Sequence, residues 1–424
     1  MVVSILGFLL LLFGFPIAIT IIIVSLIYIS FFSNIDPIIG AQRVATGIDS
    51  FSLLAIPFFM LAGNLMNNAG VTNRIFRLAK VLVGHIPGSL GHVNVLASMV
   101  FAGMSGSAVA DAAGLGVIEI KAMTEDGYDK DFSAAITAAS STIGPIIPPS
   151  ISFVVYGLVA GVSIGGIFLA GLLPGILMGL SLMIAVFIIS VKRKYRVYPR
   201  AKIREMAGAL WAALPALFAP ILVVGGIVTG IFTPTESGAF AVLYTLVLGF
   251  VYKETKIVDV PKIILETALT SGNTLFIIAV TAFLGWILSM RQVPLRMAEW
   301  ITRTSPNTFV FLLLLNGILL ILGCFMAAQP IIIMLTPIIL PAALIMGVDP
   351  IHLGVVMVLN LMLGLLTPPV GLSLYIVADI AEVPVMKVFR ALIPFILPLL
   401  SVLLLITYFP EITLFLPRFL GYAK

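Results

Sequence analysis

Apolar residues along this chain fall into long runs separated by short polar stretches, and the runs predict helices that cross a bilayer. Those near 3–32, 50–69, 132–160, 166–191, 211–231, 236–252, 265–290, 350–380 and 393–413 come close to or exceed the roughly 20 apolar residues that one crossing takes. Two further runs, 90–122 and 307–346, are interrupted at Gly103-Met104-Ser105-Gly106-Ser107 and at Ala327-Ala328-Gln329-Pro330. Each reads as two half-length helices joined by a turn, a re-entrant hairpin that enters and leaves on one side. Two stretches alternate cations with apolar residues: Val71–Val83, carrying Arg74, Arg77 and Lys80, and Pro294–Arg303, carrying Arg296 and Arg303. Helices of this kind lie in the interface plane, where bracing a moving part and passive anchoring are equally compatible with the sequence.

Laid over itself at an offset of 220 residues, the chain matches without gaps. Gly103 meets Gly323, Gly127 meets Gly347, Asp129 meets Asp349, Gly144 meets Gly364, Pro148-Pro149 meets Pro368-Pro369, and Pro174 meets Pro394. Such residues fix backbone shape, so the match predicts a repeated architecture. Five crossings separate the two hairpins, and an odd number inverts one half relative to the other. The expected fold is therefore an all-α polytopic membrane protein with two inverted-topology repeats, two re-entrant hairpins and two broken helices. Residues 1–192 form the first repeat, 193–210 a basic cytoplasmic loop, and 211–424 a linking helix and the second repeat. Interrupted helices in inverted repeats are a recurring plan of secondary transporters.

Composition sharpens this picture. Hydrophobic residues make up 61% of the 424 positions, charged residues 10%, and mean hydropathy is +1.22, which excludes a soluble globular protein. The formal charge of +5 is a matter of orientation and not of nucleic acid. With the amino terminus in the cytoplasm, Arg43, Arg291, Arg296, Arg303, Arg418 and Lys424 fall outside and the other 17 of the 23 Lys and Arg inside, as the positive-inside rule asks. Met1–Phe32 lacks a signal-peptide cleavage pattern and reads as a retained first helix. The single cysteine, Cys324, excludes an intrachain disulfide or Cys-based metal site and reads as a buried small hydrophobe. No Gly-x-x-x-x-Gly-Lys-Ser/Thr signature is present, which argues against use of ATP by this chain.

Candidate chemistry sits where the helices must open. In Gly144–Ser150 and Gly364–Val370, two successive prolines remove two backbone donors and obstruct the preceding turn. The freed carbonyls need protein, water or an ion at bilayer depth; Na⁺ suits carbonyls together with the Thr367 hydroxyl, while neighbouring helices would satisfy a purely structural kink. In the first hairpin tip, Ser105 to Gly114, small residues allow close helix approach, and hydroxyls and half-helix amides suit ions and anions. Asp111 is costly in a membrane and should face a cavity or partner. Gln329 is the main polar side chain of the second tip, Glu236 reads as a helix cap after Thr233, and Asp379 and Glu382 as a solvated helix end. Gly103-Met104-Ser105-Gly106 also fits the Gly-x-Ser-Gly of a serine protease, a remote reading that needs a His base beside Ser105; His85, His92 and His352 are not obviously placed for it.

Several segments together resemble the large membrane subunit of the tripartite ATP-independent periplasmic (TRAP) transporters, across essentially the whole chain. They are Asp49–Phe59 with Ala62-Gly63-Asn64, Ser105–Asp111, Gly144–Ser150, Thr233-Pro234-Thr235-Glu236 and Leu366–Gly371. The resemblance implies a Na⁺-driven, elevator-type importer of small organic anions in a bacterial inner membrane, with a scaffold and a moving transport domain. C4-dicarboxylates, sialic acid and other sugar or keto acids all suit it. Its partners would be a small membrane subunit, here a separate chain, and a periplasmic substrate-binding protein. It places one Na⁺ near Ser105, Ser107, Gly144, Ile147 and Pro149 and a second near Gly323, Gly364, Thr367 and Val370. Ser105, Ser107, Asp111, Ser150, Gln329 and Thr367 are the substrate-binding candidates. A self-sufficient Na⁺- or H⁺-coupled carrier of another inverted-repeat family is the alternative.

Overall fold

The computed structural model describes residues 15–33, 35–293 and 305–423, together with 6, 7, 10, 296, 297 and 299. Most of the 3–16 portion of the first run and most of the 294–303 stretch lie outside the described residues. All regular structure among them is helical, and eight helices are long and apolar enough to cross a membrane. Exposed Trp211, Ile221, Leu269 and Ile321 give these helices an outer surface suited to lipid.

The helices pack in two sets. In one, Ala55–Asn68 lies along Pro234–Val251, Val71–Val83 along Ile203–Val228, and Val260–Met290 against Ile17–Phe32 and Ile38–Thr46. The other holds both interrupted regions, and its parts interlock across the two halves of the chain. Lys130–Ser141 packs on Leu372–Ala381 and Val385–Tyr408, and Ile151–Ala160 packs on Ala328–Ile345. Amphipathic Val71–Val83 has the bounds the sequence predicts and buries Leu78 against Ala209 and Ala213 of the first set.

The helix boundaries follow local chemistry. Thr233 accepts from the Glu236 N–H at 3.3 Å while the Glu236 carboxylate accepts from the Thr233 N–H at 2.8 Å, so Glu236 is a cap. Asp349 accepts from the Ile351 N–H at 2.7 Å and opens Pro350–Gly364. The Pro-Pro segments part Lys130–Ser141 from Ile151–Ala160 and Pro350–Gly364 from Leu372–Ala381.

Four expectations are corrected. Ile203–Val228 begins inside the stretch expected to be loop, because Glu205 reaches back to the Lys202 N–H, leaving 194–202 as the irregular strap. The first arm of the first hairpin, Ser89–Ser105, has 17 residues and the arms of the second, Thr308–Phe325 and Ala328–Ile345, have 18 each; at about 25–27 Å none of the three is half-length. The run at 393–413 is two helices, Val385–Tyr408 and Pro410–Phe419, parted at Phe409-Pro410. Cys324 is half-buried and its thiol donates to the Leu320 carbonyl at 3.1 Å.

Candidate ion and substrate site

The first hairpin runs as Ser89–Ser105, a turn at Gly106-Ser107, Ala108–Ala113 and Leu115–Glu125. Gly106 takes φ 61°, and a Cβ there would stand 2.7 Å from the Pro149 carbonyl oxygen. Only glycine permits both the turn and that approach. The Gly106 carbonyl also accepts from the Ile151 N–H at 3.4 Å. The hairpin tip therefore docks, backbone to backbone, on the opened part of the first broken helix.

The side chains of the first ion group gather around this contact. The Ser105 hydroxyl donates to Asp111 Oδ1 and accepts from the Ser107 N–H at 3.3 Å. Asp111 is buried, and a Cβ at Gly144 would collide with its Oδ2, which has no hydrogen-bond partner among the described residues. Ser105, Ser107, Asp111, Gly144 and Pro149 thus lie together. Ile147, in the same opened segment, turns its side chain toward Gly175. Ser150 is committed locally: its hydroxyl donates to the Pro145 carbonyl at 2.5 Å and caps Ile151–Ala160 by accepting from the Phe153 N–H at 3.2 Å.

The second group closes in the same manner with fewer side chains. A Cβ on Gly364 would stand 2.5 Å from Gly323 Cα and carbonyl carbon, so the two helices touch through bare backbone. The Val370 N–H donates to the Cys324 carbonyl at 3.1 Å, and the Thr367 hydroxyl, donating to the Leu363 carbonyl at 3.2 Å, lies beside the Cys324 thiol. Gly323, Gly364, Thr367 and Val370 are brought together. The peptide bonds Pro148-Pro149 and Pro368-Pro369 are both cis.

Between the groups lies a narrow cavity lined by Ser107, Ser152, Gln329 and apolar residues, with no charged side chain on its wall. Three helices of ten residues or more begin at it: Ile151–Ala160 through Ser152, Ala328–Ile345 through Ala328, and Leu372–Ala381 through Leu372. Helix N-termini present unpaired N–H groups and the positive end of the macrodipole, so this wall is suited to an anion without a lysine or arginine. The larger cavity on the flank, between Ile22, Gly40 and Phe276, is apolar and remote from these groups.

Sequence reasoning did not single out Ser152, nor two buried polar seams that fix the hairpins. In the first seam, Asn94 donates to Thr137 Oγ1 at 2.7 Å, Ser140 donates to Asn94 Oδ1 at 2.7 Å, and Ser98 to Ser140 at 3.0 Å. In the second, Asn360 donates to Asn316 Oδ1 at 2.8 Å and Asn316 to Thr407 Oγ1 at 3.1 Å. Asn360 stands 220 residues after Ser140. Ser133, Thr137 and Ser140 recur at helical spacing in an apolar run, the one signal that points to the first seam.

No histidine serves Ser105. His92 bonds the Pro87 carbonyl at 3.0 Å, and His352 bonds Thr413 Oγ1 at 2.8 Å and the Thr407 carbonyl at 3.3 Å. The Gly-x-Ser-Gly match is the hairpin turn and not a nucleophile.

Residues 4–412 match the family model described as "Tripartite ATP-independent periplasmic transporter, DctM component". The chain is 46% identical, over the full length of both, to the sialic acid TRAP transporter large permease protein SiaM of Vibrio cholerae. It is 40% identical to the C4-dicarboxylate large permease protein DctM of Pseudomonas aeruginosa, covering 88% of each chain. The fold is similar to that of the Alcanivorax borkumensis YdaH transporter, with TM-score 0.65 and 14% identity over 88% of this chain and 87% of that one. These relatives are transport proteins and not enzymes. The chain belongs to the DctM component family, the large permease proteins of tripartite ATP-independent periplasmic transporters.

Proposed function

We propose that this chain is the Na⁺-coupled, anion-carrying membrane subunit of an importer for a small organic acid in a bacterial inner membrane. The observation that carries the reading is the uncharged cavity at which three helix N-termini converge, flanked by two sets of backbone carbonyls and hydroxyls. An anion there would have dipoles but no counter-charge on the wall, and a buried anion needs one. Two Na⁺ ions, one at Ser105, Ser107, Gly144, Ile147 and Pro149 and one at Gly323, Gly364, Thr367 and Val370, would supply it. Ser105, Ser107, Ser152, Gln329 and Thr367 would hold the anion itself, with Asp111 next to the first ion.

The set containing both hairpins would form the transport domain, and the set containing Ala55–Asn68 and Val260–Met290 the scaffold, so that sliding of one against the other gives alternating access. The amino terminus would lie in the cytoplasm and the two halves would be inverted repeats. The name of the Vibrio cholerae relative makes sialic acid the first substrate to test, ahead of C4-dicarboxylates. A small membrane subunit and a periplasmic binding protein would complete the importer; a fused permease, the isethionate protein DctMQ of Oleidesulfovibrio alaskensis, is 40% identical to this chain over 95% of it and 64% of that protein.

The test uses the single cysteine. Cys324 sits in the second group, its carbonyl bonded to Val370. Na⁺ at 100 times its Kd would stabilise the folded protein by about 2.7 kcal/mol and slow maleimide labelling of Cys324, whereas K⁺ at equal ionic strength would do neither. Equal labelling in the two salts, both for this chain and for its complex with the small subunit, would reject the second site. Uptake into liposomes by this chain alone, without a binding protein, would favour the self-sufficient carrier.

A further inference from the structure

The strap that joins the two sets of helices has no part in the reading above. Ile164–Arg193, at its start, packs on Val385–Tyr408 in the hairpin-bearing set, and Ile203–Val228, at its end, packs on Val71–Val83 in the other. From Lys192 to Arg204 the chain carries seven of its 23 Lys and Arg, and Glu205 is the next acid along the chain. The strap is pinned from within. The Tyr195 ring stacks on Tyr128 with centroids 4.1 Å apart, and its hydroxyl donates to Asp129 Oδ2 at 2.7 Å. The Tyr198 hydroxyl donates to Asp126 at 2.6 Å, its ring lies 4.2 Å from the Lys80 ammonium, and its N–H donates to the Gly84 carbonyl at 3.2 Å. Tyr195, Tyr198 and Ala201 are half-buried, whereas all seven cations and Val197 are exposed.

Two of those cations have acids to face: Arg193 meets Asp129 at 2.6 Å, and Arg196 lies 3.9 Å from Asp126. Lys192, Lys194, Arg200, Lys202 and Arg204 pair with no carboxylate among the described residues. The Glu205 carboxylate is turned to the Lys202 N–H, at 3.2 Å. Lys192 suits the end of its helix, but Arg200, Lys202 and Arg204 stand around a helix start, where the dipole favours acids. A slack loop with the same cations would orient the chain equally well, so topology does not explain why this one is fixed.

The outer surfaces of the two helices give its level in the membrane. Ile184, Ile188 and Val191 are exposed at helical spacing along the first, and Ile203, Leu210 and Leu214 along the second. One apolar stripe therefore ends at the residue before Lys192, and the other begins at the residue after Lys202. Ile203 is 86% exposed although it opens its helix. Hydrocarbon thus reaches both ends of the strap, and the unpaired cations stand at the depth of the headgroups.

We propose that residues 192–204 form a binding site for an anionic phospholipid, its phosphate held by Arg200, Lys202 and Arg204 and an acyl chain laid along Ile203, Leu210 and Leu214. The lipid anchors the joint between the two helix sets at the headgroup plane.

Native mass spectrometry of the delipidated protein in detergent, titrated with phosphatidylglycerol or phosphatidylcholine, tests this without Na⁺ or substrate, so the result is independent of the ion-coupling reading. Phosphatidylglycerol should bind at least tenfold more tightly. Each Lys or Arg near an anionic surface strengthens binding about fivefold. Arg200→Gln, Lys202→Gln and Arg204→Gln together should therefore weaken phosphatidylglycerol binding on the order of 100-fold by that rule. Removing three exposed cations elsewhere, by Lys256→Gln, Lys262→Gln and Lys387→Gln, should leave it unchanged. Equal binding of the two lipids, an equal loss in both triple variants, or displacement of the lipid by soluble glycerol phosphate would each overturn the proposal. Should the first triple variant not fold, wild type in nanodiscs decides: amide exchange in 194–202 should be slower in phosphatidylglycerol than in phosphatidylcholine, and equal exchange would reject the site.

Discussion

Gly364→Ala is the sharpest probe of the second group, because the added methyl meets backbone that cannot rotate away. Its Cβ would stand 2.5 Å from Gly323 Cα and carbonyl carbon and 2.9 Å from that residue's oxygen. Carbon atoms rest about 3.5–4.0 Å apart, so Thr308–Phe325 and Pro350–Gly364 must separate by about 1 Å. Overpacking of this kind costs about 1–3 kcal/mol, offset by roughly 0.5–1 kcal/mol from replacing a helical glycine. The protein should therefore fold, with a modestly lower Tm. Function should suffer more, since a displacement of about 1 Å in a positioned site can cost 10²-fold. Na⁺-dependent uptake in proteoliposomes is expected to fall at least tenfold by that reasoning, and the Na⁺-specific rise in Tm to shrink with it. Gly323→Ala, whose Cβ meets Gly364 Cα at 3.0 Å, should be the milder variant. Gly317→Ala lies on the same hairpin arm with nothing within 4 Å and should transport normally. Wild-type uptake and an undiminished Na⁺ shift in folded Gly364→Ala would show that the Gly323–Gly364 contact does not shape an ion site.

Asn360→Ala leaves the buried Asn316 amide oxygen without its 2.8 Å donor and should lower stability by about 1–3 kcal/mol, read as a fall in Tm; an unchanged Tm would mean water takes over the bond. Tyr198→Phe removes the 2.6 Å bond from its hydroxyl to Asp126 while keeping the ring beneath Lys80. Amide exchange in 194–202 should quicken and the Na⁺-specific Tm shift should stay, whereas a lost Na⁺ shift would place the strap in the ion machinery. The Tyr198 hydroxyl is pushed up to about 12, mainly by desolvation and then by its bond to Asp126. A group raised in the folded state gives its stability below its unfolded value, near 10, and loses it as pH climbs through the folded value. Strap exchange should therefore be flat in pH up to about 10 once corrected for intrinsic rates, and a rise near neutrality would assign the strap to another group.

The residues that the sequence made legible were those that act through the backbone. Gly106, Gly323 and Gly364 stand where chain conformation or close approach leaves no other choice, so their meaning survives without neighbours. Val71–Val83 was legible because its cations and apolar residues separate cleanly onto two faces. Ile38–Thr46 was not, since nine residues with one buried position show no sustained apolar run. Glu119 and Lys121 look alike as charged residues of one short helix. Two residues turn a helix by about 200°, and the packing shows that Glu119 faces inward while Lys121 faces outward. Asn316 and Asn360 stayed hidden for a related reason: a lone amide in an apolar run gains meaning only from the partner that satisfies it.

What the two halves share is shape, and what separates them is charge. Both hairpins end in a glycine pressed on the opened helix, both breaks carry a Pro-Pro pair, and both are fastened by buried amides. Yet the carboxylates Asp111 and Glu119 belong to the first hairpin alone and contribute nothing to the cavity wall, which is neutral and met by helix N-termini. Carboxyl groups thus sit behind the first tip, and positive dipole ends converge in front of it. A cation placed between Asp111 and the cavity would be attracted from both sides, by the carboxylate behind and by an arriving anion ahead, while the N-termini keep the anion from approaching the acids directly. The second tip has no such carboxylate behind it. An ion there would have carbonyls and the Thr367 hydroxyl as ligands and the anion itself as its only nearby full negative charge. Under the proposed coupling, the first ion would bind to the protein and the second to the loaded site, and that difference would make anion uptake obligatory for the full complement of Na⁺.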